Sequence, residues 1–526
     1  MDHDARTIPE LLLRQAERIG DRLAIVDEDA ALTLSFAALR DAALEAARAF
    51  VAIGVQPGDR VAVWAPNGWQ WVVAALGAQS AGAVLVPINT RFKGAEAAFI
   101  LQKSRAHALV TAGEFRGVNY PSLLEEHRGA LPDLRAIVTL GGAGPRTVAW
   151  PEFLSRGGAI TVAEIHARIA ALTGGDLADV LFTSGTTGRP KGAMCTHEQD
   201  LRCFRTWCEV VGLSEGDRYL IVNPYFHSFG YKAGWLACLL AGATNYPQAV
   251  FDVAEALARV ERNRITVLPG PPTLYQTILN DPGRGRFDLS SLRVAITGAA
   301  AIPVELIRRM REELKIDTVL TAYGLTECCG VATMCAKEDD AETIATTSGR
   351  AIPGTEVRIV GDGGPVAPGE PGEVLVRGFH VMKGYLDDDA ETARAIDGDG
   401  WLHTGDVGVM DARGNLRITD RIKDMFIVGG FNAYPAEIEN TLLAHEQIAQ
   451  VAIIGVPDER LGEVGMAFVV PRVGTTPDPD EIVGWARARM ANYKVPRKVV
   501  IVEGLPLNAT GKVVKYRLRE LAKESG

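Results

Sequence analysis

The sequence predicts an α/β protein with more than one parallel sheet, followed by a small β module and a compact α+β unit at the C-terminal end. Three observations carry this. Short apolar, β-branched runs alternate with longer segments of helical spacing over the first 330 or so residues. Near residue 350 the texture changes to short strands joined by Gly, Pro and Asp turns. The last hundred residues then read helix, strand, strand, helix, strand.

In order, RLAIV (22–26), VAVWAP (61–66), VLVPI (84–88) and ALVTA (108–112) predict strands, each an apolar run bounded by turn or polar residues. Between them, 36–54 and 94–103 space their apolar residues at three and four, as one face of a helix requires. Residues 61–90 carry no Lys, Arg, Asp or Glu, but Pro66, Asn67, Gln70, Gln79, Ser80 and Gly82 interrupt them, so a buried helix and a buried strand are expected and not a membrane span. DVLFTS (179–184), RYLIV (218–222), ITVLPG (265–270), LRVAITG (292–298) and TVLTAYG (318–324) continue the alternation, which favours parallel sheets. TEVRIV (355–360), GEVLVR (372–377), GNLRITD (414–420) and MFIVGG (425–430) predict the β module. The final unit has helices at 435–443 and 479–490 and strands at 448–455, 464–471 and 498–502. Its junction near 420–424 lacks a Gly/Ser linker, so a tight hinge is expected and not a tether.

Composition removes several classes of function. With 55 Lys and Arg against 65 Asp and Glu in 526 residues, the net charge is −10, which argues against nucleic acid as a partner. Apolar residues at 47% and charged residues at 23% exclude disorder. Seven cysteines without a CxxC pair predict reduced thiols, and Met1-Asp2-His3-Asp4 does not open a signal peptide; a cytoplasmic location is the expectation.

The strongest local signal is Thr183-Ser184-Gly185-Thr186-Thr187-Gly188-Arg189-Pro190-Lys191-Gly192, directly after a predicted strand. Glycines let the backbone approach a polyphosphate, hydroxyls and amides donate to it, and Lys191 supplies charge. It is not a Walker A loop, because Pro190 stands where the second Gly belongs and Gly192 where Ser or Thr belongs.

This string resembles the signature loop of the adenylate-forming superfamily, which includes acyl-CoA synthetases, luciferases and peptide-synthetase adenylation domains. Further segments match that family in its order: Tyr225-Phe226-His227-Ser228-Phe229-Gly230, Tyr323-Gly324-Leu325-Thr326-Glu327, Gly400-Trp401-Leu402-His403-Thr404-Gly405-Asp406, Asp420-Arg421-Ile422-Lys423-Asp424 with Gly429-Gly430, and Pro506 to Lys512 (PLNATGK). The resemblance implies a large multi-lobed adenylation domain, 1–422, and a small mobile domain, 423–526, carrying a catalytic lysine. It implies ATP, Mg²⁺ and CoA: an acid attacks the α-phosphate to give acyl-AMP and pyrophosphate, and a thiol then displaces AMP. Two anions must meet, so preorganised cations and donors are the physical need.

On that resemblance, Lys512 bridges the carboxylate and the α-phosphate, Thr326 binds the α-phosphate, and Glu327 with Thr186 holds Mg²⁺. Thr183, Ser184, Gly185, Thr186, Thr187, Gly188 and Lys191 enclose the β- and γ-phosphates. Tyr323 stacks on adenine, with Gly298, Ala299 and Gly324 beside the nucleotide, and Asp406 and Arg421 serve the ribose. Lys423 is the hinge, about which the small domain alternates between adenylation and a thioester state in which Gly429 and Gly430 line a pantetheine tunnel.

For the acid, no acidic residue follows the His227 motif before Asp252, so an acid without an amine fits better than an amino acid. Tyr225, Phe229, Tyr231 and Trp235 offer apolar area, and His227 borders the carboxylate. FHSFGYKAG (226–234) with TVLPGPPTLYQ (266–276) looks most like fatty-acid–CoA ligases of the actinobacterial kind that activate propanoate side chains on steroid-derived rings. Medium- or long-chain and aromatic acids stay open, as does loading of a carrier protein. A homodimer is what the resemblance suggests. Finally, ten Lys and Arg against three Glu from Arg487 to Gly526 give a local +7, and Arg497 and Lys498 are candidates for the phosphates of CoA.

Overall fold

A computed structural model describes the chain except residues 1–3, 143, 145, 184–189, 299–301, 362, 422–423, 429–430, 459, 491, 508–512 and 525–526. The chain divides into two compact units. The first comprises residues 1–298, 302–356 and 376–402; the second comprises 299–301, 357–375 and 403–526. The boundary expected after residue 422 thus falls within the second unit.

Two large sheets organise the first unit. One has nine strands, and its middle six are parallel: Thr318–Tyr323, Val294–Gly298, Val267–Pro269, Arg218–Ile221, Thr244–Pro247 and Leu23–Asp27. The other has seven, with Leu177–Thr183, Val84–Pro87, Arg60–Trp64, Ala106–Thr111, Ala136–Thr139 and Val148–Ala149 parallel. Both sheets carry antiparallel strands at their edges. Leu32–Ser35, Thr333–Met334 and Arg350–Ala351 join antiparallel, and so does Lys191–Thr196, which returns directly along Leu177–Thr183. The phosphate-loop segment therefore links two strands of a hairpin, with Thr183 and Lys191 as register partners, where a Walker loop would lead into a helix.

The uncharged stretch resolves into the helix Trp69–Ser80 and the strand Val84–Pro87, both enclosed by core, because neighbouring layers cover every face. Among the described residues, no helix is long and apolar enough to cross a membrane. All seven cysteines are free and buried.

Most of a five-stranded sheet lies in the second unit, in the order Gly364–Pro365, Thr355–Gly361, Pro371–Gly378, Leu402–Met410, Leu416–Arg421. The same unit has a second sheet, Phe431–Ala433, Phe426–Val428, Gly462–Pro471, Ile448–Asp458, with Lys498–Ile501 parallel to Gly462–Pro471. Phe426, Ile438, Leu442, Ile453, Phe468 and Leu518 form its core.

Candidate active site

Parallel strands present their carboxyl ends to one edge of a sheet, the usual place for a ligand in an α/β layer. In the first unit, Gly298 ends one such strand opposite Ala322 of the next, and Tyr323 closes that neighbour. The chain then turns so tightly that a Cβ on Gly324 would lie 2.3 Å from the carbonyl oxygen of Gly330, so no larger residue fits without moving backbone. The turn delivers Thr326 and Glu327 on a short 3₁₀ segment, Thr326–Cys328.

Glu327 is held from two sides. Its Oε1 accepts from the Thr183 hydroxyl at 3.3 Å and the Tyr385 hydroxyl at 3.0 Å. Sequence reasoning missed Tyr385. It arrives because residues 383–386 run beside Lys191–Thr196: Lys383 N donates to Met194 O at 2.9 Å, Leu386 N to Gly192 O at 2.8 Å, and Tyr385 bridges Ala193. Met382 N also donates to the Glu327 carbonyl at 2.8 Å. Burial, and then the Glu327 charge, raise the Tyr385 pKa, so the phenol keeps its proton and donates. Nearby, the Lys191 ammonium pairs with Glu391 and lies 5.1 Å from the centroid of the Tyr385 ring. Its hydrogen bond lowers the Glu391 pKa, with help from Arg394. Glu391 was likewise unforeseen; the acidic run 387–391 was its only signal.

His227 begins a second constellation. Its Nδ1 accepts from Phe229 N at 3.2 Å, which puts the proton of a neutral ring on Nε2. A short helical turn, Ser228–Gly230, passes into a π-helical one, Tyr231–Leu236. Tyr225, Tyr231 and Trp235 are wholly or almost wholly buried around Trp71, with ring centroids 5.4 to 6.1 Å from it, and Tyr231 stacks on Trp235 at 4.8 Å. The structure therefore places these three in the core. Phe229 is only half-buried and meets the edge of Trp207 at 6.2 Å. The absence of a nearby acid in sequence does not carry over to space: Asp179 and Asp200 both reach Lys232, whose ammonium balances one carboxylate charge, while burial and the neighbouring Asp200 push the Asp179 carboxyl well up.

With this geometry in view, comparison with known proteins decides the family. Residues 12–386 match the AMP-binding enzyme family, and 437–512 match the AMP-binding enzyme C-terminal domain. The chain is an AMP-binding enzyme. It is 52% identical to a methyl-dioxo-octahydro-indenyl propanoyl:CoA ligase of Mycobacterium tuberculosis, over 99% of this chain and 100% of that one. The ligase of the same name from Rhodococcus jostii is also 52% identical, with the same coverage. Among solved structures, the anthranilate CoA ligase AuaEII in complex with anthranoyl-AMP matches with a TM-score of 0.86 at 27% identity, covering 99% of this chain and 98% of that one. ATP-bound MatB from Rhodopseudomonas palustris matches with a TM-score of 0.86 at 30% identity, covering 98% and 99%.

The C-terminal part of this AMP-binding enzyme holds the remaining expected residues. Asp406 and Arg421 face each other across two antiparallel strands, with Nε 2.8 Å from Oδ1 and the carboxylate almost fully buried. Asp420 accepts from Arg421 N at 2.7 Å and Ala436 N at 2.8 Å, and burial raises its pKa to about 6. The basic count of the C-terminal stretch overstates its free charge. Lys494 pairs with Glu437, Lys515 with Glu439 at 3.2 Å, and Arg519 with Asp424 at 3.3 Å. Arg497 donates to the carbonyl and side-chain oxygens of Asn492, each at 3.2 Å, and Lys498 is exposed on its strand. Ser184, Gly185, Thr186, Thr187, Gly188, Ala299, Lys423, Gly429, Gly430 and Lys512 lie outside the described residues.

Proposed function

We propose that the chain is an ATP-dependent acid–CoA ligase that forms an acyl-AMP and then an acyl-CoA, acting on a hydrophobic, ring-bearing propanoate. The observation that carries the chemistry is the gathering of Glu327, Thr183 and Tyr385 beside Lys191, from three separated stretches of sequence. The substrate reading is supported by 52% identity, over essentially the full length, to two propanoyl:CoA ligases of a fused-ring acid.

In this reading Lys191 exchanges its Glu391 partner for the β- and γ-phosphates of ATP. Thr326 donates to the α-phosphate, and Lys512 lies between that phosphate and the incoming carboxylate. The Glu327 carboxylate and the Thr183 hydroxyl are hard oxygen donors, a set that fits Mg²⁺; the ion supplies charge neutralisation at the phosphates when bound. His227, with its proton on Nε2, donates to the acid, and Phe229 contacts its apolar body. Asp406 accepts from the ribose hydroxyls while Arg421 holds one of its oxygens. Lys423 then serves as the hinge about which the C-terminal domain withdraws Lys512 and admits CoA to Gly429, Gly430, Arg497 and Lys498.

The test is an acid panel with ATP, Mg²⁺ and CoA. A ring-bearing propanoate is compared with C8 to C16 fatty acids and benzoate, and AMP, pyrophosphate and thioester are followed. AMP and pyrophosphate should appear only with acid, and thioester only with CoA. Release of ADP would overturn the ligase reading. Rates within about tenfold across the panel, roughly 1.4 kcal/mol of discrimination, would overturn the ring-acid reading alone.

A further inference from the structure

Lys232 is the most deeply buried cation among the described residues, at 0% side-chain exposure, and nothing in the chemistry above uses it. Its Nζ lies 2.6 Å from Asp200 Oδ1 and 3.2 Å from Asp179 Oδ1, and both carboxylates are equally buried. Lys232 donates a hydrogen bond to Asp200 Oδ1, whereas both oxygens of Asp179 and Oδ2 of Asp200 find no hydrogen-bond partner among the described residues. Cys195 Sγ, Cys329 Sγ and an Asp200 oxygen lie within 4.8 Å of one another, a spacing a metal could use. The ammonium already sits on these carboxylates, so the cation of the cluster is Lys232 itself.

Such a triad is an expensive way to stabilise a core. Taking charged groups out of water is costly, and apolar replacements of similar volume are often neutral or stabilising. Its value lies in geometry, since an ammonium between two carboxylates tolerates few other arrangements. The placement is informative. Lys232 stands in the π-helical turn Tyr231–Leu236, directly after His227 and Phe229, and such turns recur at functional sites. Asp179 is on the strand Leu177–Thr183, and its register partner is Cys195 on the returning strand Lys191–Thr196. Asp200 is in the first turn of the helix His197–Val211, which follows that strand. One ammonium therefore ties the His227 turn to one arm of the hairpin from which the phosphate loop springs and to the helix that follows the other arm. Gln79 reinforces the tie, because its amide donates to Ala178 O at 3.1 Å and to the Tyr231 hydroxyl at 3.2 Å.

We propose that Lys232 is a positioning residue for ligation: with Asp179 and Asp200 it holds the acid-binding turn in register with the phosphate-loop strands, so that the carboxylate and the α-phosphate meet at reacting distance. The proposal rests on the reading of His227 and Phe229 as the acid end. Its test uses the full-length protein and two variants. Lys232→Met/Asp179→Asn/Asp200→Asn removes all three ionisable groups together, and Asp200→Asn leaves Lys232 balanced by Asp179. Melting, affinity for a non-hydrolysable ATP analogue, acyl-AMP formation, and thioester formation from supplied acyl-AMP are each measured. The expected result is a folded protein with analogue affinity within about threefold of the parent and acyl-AMP formation slowed about 100-fold in the triple variant, the penalty of roughly an ångström of misplacement. Thioester formation from supplied acyl-AMP should change less than about threefold, because the acyl and adenylyl groups are then already joined. A folded variant of either kind with parental acyl-AMP formation overturns the proposal. So does loss of folding by both, which would assign the triad to stability alone. If the parent itself forms no acyl-AMP with any acid, the ligase reading fails first and the proposal with it.

Discussion

Tyr385→Phe removes one oxygen and leaves the ring beneath Lys191, which makes it a clean probe of how Glu327 is held. The lost bond is a hydroxyl donating to a carboxylate at 3.0 Å, from a residue only 8% exposed, so water replaces it poorly. Hydrogen bonds to charged groups contribute about 1.5–3 kcal/mol. The Thr183 hydroxyl, at 3.3 Å on the same oxygen, remains but is longer and can hold the carboxylate in more than one orientation. If that energy is realised in the adenylation transition state, kcat/KM for ATP in acid-dependent pyrophosphate release should fall by about tenfold to hundredfold. Thioester formation from supplied acyl-AMP, which needs no phosphate transfer, should stay close to that of the parent. Both half-reactions are measured across a range of Mg²⁺ concentrations, with melting temperature as the control for folding. A kcat/KM within twofold of the parent would falsify the assignment of Tyr385 to Glu327. Equal loss in both half-reactions would show general disruption instead.

Three further outcomes are expected. Lys512→Ala should abolish acyl-AMP formation and largely spare thioesterification of supplied acyl-AMP; matching losses in the two half-reactions would count against domain alternation. Neutralising Arg497 and Lys498 should raise the KM for CoA and leave that for ATP nearly unchanged, and no change in either would remove both residues from the CoA site. Stability should fall on acidification through His197 and His380. Burial holds each folded-state pKa at about 4, below the ordinary 6.5, so the unfolded chain binds the proton more tightly. Their contribution is therefore complete above about pH 6.5 and lost as pH falls towards 4, up to roughly 3 kcal/mol for each. His197 Nδ1 accepts from Ile8 N at 3.3 Å, which the neutral ring allows. His197→Gln should flatten the melting temperature between pH 7 and 5, and an unchanged slope would refute this account.

Much of the architecture was legible without coordinates, because strand and helix periods are set within a dozen residues by which faces are buried. The uncharged stretch 61–90 resolved into the expected buried helix and strand for that reason. The hairpin return of Lys191–Thr196 was less visible, since KGAMCT has neither strict alternation nor a β-branched run. Motif spelling placed Thr183, Lys191, Thr326, Glu327, Asp406 and Arg421 among site residues, and the structure brings Thr183 to Glu327 and Asp406 to Arg421.

The sequence by itself determined the layers, the order of the motifs and the chemical types available: a glycine-rich loop with a lysine, a lone acid after Thr326, an aromatic run around His227. Only the tertiary structure decided which charges meet. It joined Tyr385 to Glu327, Glu391 to Lys191, and Lys232 to Asp179 and Asp200, and it withdrew Tyr225, Tyr231 and Trp235 into the core. The reason is range. Periodicity is a local consequence of burial, whereas an ion pair or a hydroxyl–carboxylate bond between residues 32 to 200 positions apart depends on which strands lie side by side, and no single stretch of sequence records that.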